Sequence, residues 1–368
     1  MTTEGPEGPE SPEVPEVPEA PAPAPVVAAG RLRRWRRRRA LAAAAAGAGV
    51  LVAVVWGVVW YEAQVHAGPP GGQELVTVAP GSSVGSTAAD LARRGVISSS
   101  LALRIYDLFH GTPLLSTGTY ALRRHQSLGA VHDALSAGPD VLVVPPGLTV
   151  WETALRVGQL PGHDAASFSA AVADRAVVSP YEPPGVANLD GLLGSGQYVV
   201  GRRQSAASLL TEMVARFDAT AAAAGLDARA AALGVTPYQA VVVASIVEKE
   251  GVYPQNLSKV ARVVYNRLAR NMPLQMDSTV LYSEHRDGGA VTQADLALDT
   301  PYNTYLHRGL TPTPICFPSA GSLAAALDPV PGDWLYFVLV WRDGTEAFSD
   351  TLAGQQANEQ LAKSRGLP

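Results

Sequence analysis

The hydrophobic and polar positions along this chain change period from block to block. From Ala40 to Trp60 no charged or strongly polar residue occurs, and the run from Leu41 to Tyr61 is long enough to cross a hydrocarbon core of about 30 Å as one helix. Glu74 to Val78 alternates polar and apolar, as a half-buried strand does. Val84 to Arg94, closed by Gly95, reads as a short helix; Ser100 caps another through Phe109; Gly118 to Leu122 reads as a strand; and Ser127 caps a helix to Leu135 ahead of Gly138. Asp140 to Val144 is an apolar strand and Pro145-Pro146-Gly147 a turn. Thr149 with Glu152 forms a capping box, and Ser205 caps an amphipathic helix from Ala206 to about Ala223.

The densest apolar block follows Thr236-Pro237-Tyr238-Gln239, a second capping box with proline at the first helical position. It predicts a mostly buried helix of about four turns, ending at Glu248-Lys249-Glu250 with Gly251 as a left-handed stop. Glu248 and Glu250 stand two apart and so point to roughly opposite sides. Asn256 is the candidate cap of a further helix, on which Leu257, Val260, Ala261, Val264 and Leu268 recur on one face. After it, Gln275 and Asp277 alternate with apolar residues, as in an extended segment that aims both at one side.

Charge is distributed unevenly. Residues 1–25 hold six Glu, eight Pro and no basic residue, a composition that buries nothing and predicts disorder. Seven arginines then fall between Arg31 and Arg39. Beside a membrane-length apolar run they indicate a cytoplasmic flank by the positive-inside rule rather than a nucleic-acid site. The region after the span, Tyr61 to Ala67, offers a poor cleavage pattern, so an uncleaved anchor is expected over a signal peptide. Cys316 is the single cysteine, expected as a small buried thiol. No phosphate loop, His-Glu-x-x-His helix or Gly-x-Ser-x-Gly elbow occurs, so nothing calls for a cofactor or metal.

The chemistry centres on the two glutamates. A carboxylate at the negative end of a buried helix has its pKa raised by the macrodipole and by lost solvent, which suits a general acid near neutral pH. The alternative is a solvated helix end paired with Lys249, Arg262 or Arg267.

Ala244-Ser245-Ile246-Val247-Glu248-Lys249-Glu250 resembles the signature of the membrane-anchored endolytic murein transglycosylases, the MltG/YceG-like family. The resemblance continues in order through Val264-Tyr265-Asn266-Arg267-Leu268, Met272 to Val280, Thr300 to Tyr305, Gly309 to Pro312 and Pro314-Ile315. It is densest over residues 233–348. It implies an α+β fold: an N-terminal single transmembrane helix, a small LysM-like α+β subdomain and a larger α+β catalytic domain. The implied partition is an acidic Pro-rich cytoplasmic tail (1–30), a basic juxtamembrane run (31–39), the transmembrane helix (40–61), the LysM-like subdomain (62–142), a connecting region (143–232) and the catalytic domain (233–368). Whether the small subdomain binds wall or only spaces is open from sequence.

The resemblance implies Glu250 as the catalytic acid, with Gln275, Asp277, Tyr302 and Asn303 positioning a glycan, Asn266 and Arg267 supporting the loop, and Glu248 structural or tuning. It implies non-hydrolytic cleavage of the MurNAc–GlcNAc bond within peptidoglycan strands, leaving 1,6-anhydro-MurNAc ends, chemistry suited to ending nascent strands. The partners implied are peptidoglycan glycan strands and the lipid bilayer, with peptidoglycan synthases of the elongation or division machinery as candidates and no nucleic acid. The implied location is the cell membrane, single-pass, with the N-terminus cytoplasmic. A water-using muramidase, with Asp277 as second carboxylate, and a non-enzymatic wall-binding scaffold are the alternatives. The chain departs from the family pattern at Ser195-Gly196-Gln197, at Phe317 and Ser319, at Glu346 and near Gln355, the last two in place of family histidines.

Overall fold

The computed structural model describes residues 27–66, 68–69, 71–251 and 253–367, and most of the expected acidic tail lies outside them. The chain divides into two units, residues 1–63 and 64–368. Nearly all of helix α1 (Val27–Val65) belongs to the first. One continuous helix thus takes in the last residues of the expected tail, the arginine run and the expected span. From Arg37 to Val65 it is long and apolar enough to cross a membrane, and Val50 to Val59 leave their large side chains uncovered by protein.

The second unit opens with β1 (Gln73–Val78), α2 (Val84–Arg93), α3 (Ser100–His110), β2 (Gly118–Arg123) and α4 (Leu128–Ala137). β3 (Val141–Val144), α5 (Val150–Val157), α6 (Ala165–Ala173) and β4 (Gly196–Val199) follow, then α7 (Ala206–Ala224), α8 (Leu226–Ala232), α9 (Pro237–Glu250) and α10 (Leu257–Ala269). The chain closes with α11 (Asp277–Ser283), α12 (Gln293–Ala297), α13 (Ala320–Leu327), the hairpin β5 (Tyr336–Leu339) and β6 (Glu346–Ser349), and α14 (Leu352–Ser364). The fold is mixed α+β, with the expected strand–helix–helix–strand order at its start.

The four-stranded sheet has the order β1-β2-β3-β4, every neighbour antiparallel. It crosses the boundary expected at residue 142: β1 and β2 come from the small subdomain, whereas β3 straddles the boundary and β4 lies within the connecting region. Asp140 is the joint. Its carboxylate accepts from Ala121 N–H at 2.7 Å and its carbonyl from Val200 N–H at 2.7 Å. A side chain therefore supplies ladder bonding where β2 and β3 share only the pair Thr119–Val141.

α9 is the axis of the larger core. Both capping boxes form as expected, Thr236 with Gln239 and Thr149 with Glu152. Every residue from Ala240 to Val247 is buried, because a helix apolar on all faces must be surrounded. α13 and α10 pack on it most extensively. Val241, Val243, Ile246 and Val247 are fully enclosed. At about 1.5–3 kcal/mol each, these four contribute on the order of 10 kcal/mol of gross burial.

Three local expectations are corrected. Ser99, not Ser100, caps α3, its side chain accepting from Ala102 N–H. Gly251 is not left-handed (φ −89°); its lack of a Cβ matters instead because one would lie 2.7 Å from Leu257 and 2.9 Å from the Val247 carbonyl. Asn256 occupies the cap position of α10 without a side-chain cap bond, and spends its amide on the Gly344 carbonyl at 2.8 Å.

Candidate active site

The last turn of α9 sends three consecutive side chains three ways. Glu248 accepts from Ser319 N–H at 2.8 Å, at the start of α13. Lys249 pairs with Asp287 at 2.7 Å. Glu250 accepts from Ser278, through the hydroxyl at 2.6 Å and the backbone N–H at 3.2 Å, both to Oε1. Residues two apart on a helix diverge by about 200°, which is why one glutamate serves the packing and the other is left for a cleft.

Glu250 is only partly exposed, and burial raises its pKa above the ordinary carboxylate range. The two bonds from Ser278 and the charge of Arg267 oppose that shift, and the nearby Asp277 carboxylate adds to it. Two adjoining cavities meet at Glu250 and Asp277. One, of about 360 Å³, continues past Gln275, Tyr305, Tyr336 and Gln355. The other, of about 210 Å³, continues past Ser278, Leu281 and Arg286. An acid flanked by open space on two sets of neighbours suits a polymer that runs past it.

Arg267 is one of the ion-pair partners that a solvated end of α9 would use. It instead lies buried, its guanidinium donating to the carbonyls of Leu335 (2.6 Å) and Leu274, so it holds the loop that carries Gln275 and Asp277. Burial lowers its pKa. Asn266 donates to the carbonyls of Gly332 and Trp334, both at 2.9 Å, fixing the approach to β5. Arg267 therefore holds the loop by way of its backbone, whereas Asn266 holds the segment before β5 and, among the described residues, makes no bond to that loop.

Gln275 and Asp277 do reach the same cavity, but not from an extended segment. Gln275 is left-handed (φ 51°), a conformation uncommon outside glycine, and Asp277 opens α11. Tyr305 donates to Asp277 Oδ1 at 2.6 Å. Asn303 departs from expectation: its side chain is fully buried, donates to the carbonyls of Leu296 (3.0 Å) and Leu298 (2.8 Å), and accepts from Tyr305 N–H. It folds the loop that presents Tyr305, and no surface is left for a glycan. Tyr302 likewise packs inward, its hydroxyl 2.9 Å from Thr313 Oγ1 and its ring 4.9 Å from Tyr282.

The departures have identifiable partners. Phe317 is fully buried and exchanges backbone bonds with Gly147 and Leu148, beside Ile315, whose N–H reaches Ser245 Oγ at 3.0 Å. Ser319 caps α13. Glu346, on β6, is pushed up to about 7, first by burial and then by the charge of Glu250. Gln355 lines the larger cavity and donates to the Phe337 carbonyl at 3.2 Å, its own carbonyl oxygen buried without a partner.

Two residues gained no role from sequence. Ser278 sits inside the quoted stretch Gln275-Met276-Asp277-Ser278-Thr279, yet nothing local shows that it faces a glutamate 28 positions away. Asp190 is buried, accepts from Val150 N–H (2.7 Å) and Tyr282 OH (2.6 Å), and is pushed up to about 6 by burial. It ties α5 to α11.

The YceG-like family matches residues 76–361. An endolytic murein transglycosylase of Bacillus subtilis strain 168 is 28% identical over 309 residues, covering 79% of this chain and 85% of that protein. An endolytic murein transglycosylase of Streptococcus pneumoniae strain D39 is 28% identical over 316 residues, covering 77% of this chain but 57% of the relative, so the chain spans little more than half of that protein's length. The crystal structure of a YceG-like protein from Listeria monocytogenes aligns with a TM-score of 0.59 at 28% identity, covering 78% of this chain and 98% of that one.

Proposed function

The chain belongs to the YceG-like family, and from that premise we propose that it is a membrane-anchored lytic transglycosylase acting within peptidoglycan glycan strands. α1 is its single span, with the arginine run cytoplasmic and residues 64–368 outside. The small α+β subdomain is LysM-like and stands between the anchor and the catalytic part along the chain. Synthases of the growth machinery are the partners that would supply nascent strands.

The observation that carries the reading is Glu250: partly buried, held by Ser278, with a raised pKa, at the meeting point of two cavities. Its proton goes to the glycosidic oxygen as the bond from MurNAc C1 breaks and an oxocarbenium-like centre forms. The Glu250 carboxylate then takes the proton of the substrate's own C6 hydroxyl. That oxygen closes on C1 to give the 1,6-anhydro end, and no water is consumed. A single carboxylate serves as acid and then as base. Arg267 fixes the loop that aims Gln275 and Asp277, and Asn266 fixes the approach to β5. Glu248 remains structural.

Asp277, present in both cavities, favours a water-using muramidase as second reading. Digestion of purified sacculi by the full chain, followed by mass spectrometry, separates the two, since anhydro ends weigh one water less than reducing ends. Glu250→Gln keeps the acceptor for Ser278 and removes the proton. Strand cleavage is expected to fall by about 10²–10⁴ with the thermal midpoint unchanged. Undiminished cleavage would remove Glu250 from the chemistry, and no cleavage by the unaltered chain would leave a wall-binding scaffold.

A further inference from the structure

Most large apolar side chains exposed on the second unit are scattered singly, which is ordinary for a soluble surface. Residues 101–114 are different. Leu108 is 80% exposed, Phe109 78% and Leu114 90%, with Leu101 more than half exposed two turns before Leu108 on α3. Such a concentration marks a contact surface. α3 has no need of these residues for its own packing, because Ala102 and Leu103 already cover its inner face.

Charge narrows the partner. Between Ser98 and Gly118 the one acidic residue is Asp107, which is buried and bonded to His132 Nδ1 at 2.9 Å. Arg104 and His110 are exposed beside the leucines. Residues 98–118 therefore offer apolar side chains, an aromatic ring and a guanidinium, with no exposed carboxylate among them. That combination suits the headgroup and upper acyl region of an anionic bilayer. The chain supplies the bilayer nearby. Eight residue steps separate Val65, the end of α1, from Gln73, the start of β1, which is about 27 Å of chain even when fully extended.

We propose that Leu101, Leu108, Phe109 and Leu114, with Arg104, form a lipid-docking surface that rests the small subdomain on the outer leaflet. The proposal rests on the reading of α1 as an anchor. Docking would hold the subdomain against the membrane and fix the height at which the cleft around Glu250 meets glycan.

The test uses the full chain in vesicles of phosphatidylcholine and phosphatidylglycerol. A nitrobenzoxadiazole probe is attached in turn at Leu114→Cys, at Val54→Cys within α1, and at Ala222→Cys on the exposed side of α7; native Cys316 is buried and left in place. Nitroxide carried at headgroup depth is expected to quench the Leu114 probe by about twofold or more and leave the Ala222 probe unaffected. Adding Leu108→Asp and Phe109→Asp should abolish that quenching with the thermal midpoint unchanged, since both side chains are exposed. A Val54 probe shielded within the bilayer, together with an unquenched Leu114 probe, would overturn the docking surface and leave the anchor standing. If neither probe senses lipid, both readings fall.

Discussion

Ser278→Ala isolates what the cleft does to its acid. The hydroxyl donates to Glu250 Oε1 at 2.6 Å, and the backbone N–H of the same residue to the same oxygen at 3.2 Å. Both bonds favour the carboxylate, so they hold the pKa below where burial alone would put it. The substitution removes the shorter bond and keeps the longer. A hydrogen bond to a charged group is worth about 1.5–3 kcal/mol, or about 1–2 pH units; with Glu250 partly open to solvent, about one unit is expected. The sign follows from the role. A general acid must be protonated, so kcat/KM falls as pH rises through the Glu250 pKa of the free enzyme. Raising that pKa moves the falling limb to higher pH. The assay is the rate of release of soluble fragments from sacculi at a series of pH values, for the wild type and Ser278→Ala, with melts at each pH. A limb that stays in place, or moves to lower pH, would refute Glu250 as the titrating acid. An equal loss at every pH would assign Ser278 to folding alone.

Glu248→Ala should lower stability by about 1–3 kcal/mol, since Ser319 N–H loses its acceptor, while turnover per folded molecule stays at the wild-type value; a lost turnover with an unchanged melt would count against the structural role. Arg267→Lys replaces a fork that serves Leu335 and Leu274 with a point donor; steady-state kinetics should show KM rising more than kcat falls, as the loop bearing Gln275 and Asp277 loosens. Asp190, at about 6 in the folded chain against about 3.9 unfolded, favours folding most when protonated, so its contribution is lost as pH rises from about 4 through 6. Asp190→Asn should flatten the stability profile over that window by roughly 3 kcal/mol, read from denaturant melts, and an unchanged profile would reassign the titration elsewhere.

The chain's local periods were sufficient for its strongest elements and not for short ones such as α11, where an extended segment was expected. Thr236 with Gln239, and an apolar run broken only by Ser245, specify α9 because a capping box and all-round hydrophobicity act within a few residues of themselves. The divergence of Glu248 and Glu250 follows from helical geometry alone, and the membrane-length run is legible because a bilayer imposes length and composition directly. What tertiary structure decided is which polar group meets which. Asn303 looked like a glycan ligand and is a buried loop brace, because whether an amide faces a groove or a carbonyl depends on chain folded back from Leu296 and Leu298. Arg267 was a possible ion-pair partner for a helix-end glutamate and instead holds backbone. Ser278 reaches Glu250 across 28 positions and Tyr282 reaches Asp190 across 92. A pKa is set by solvent loss and by the few atoms within about 4–6 Å, and those neighbours are assembled by packing between elements whose sequences carry no mark of one another.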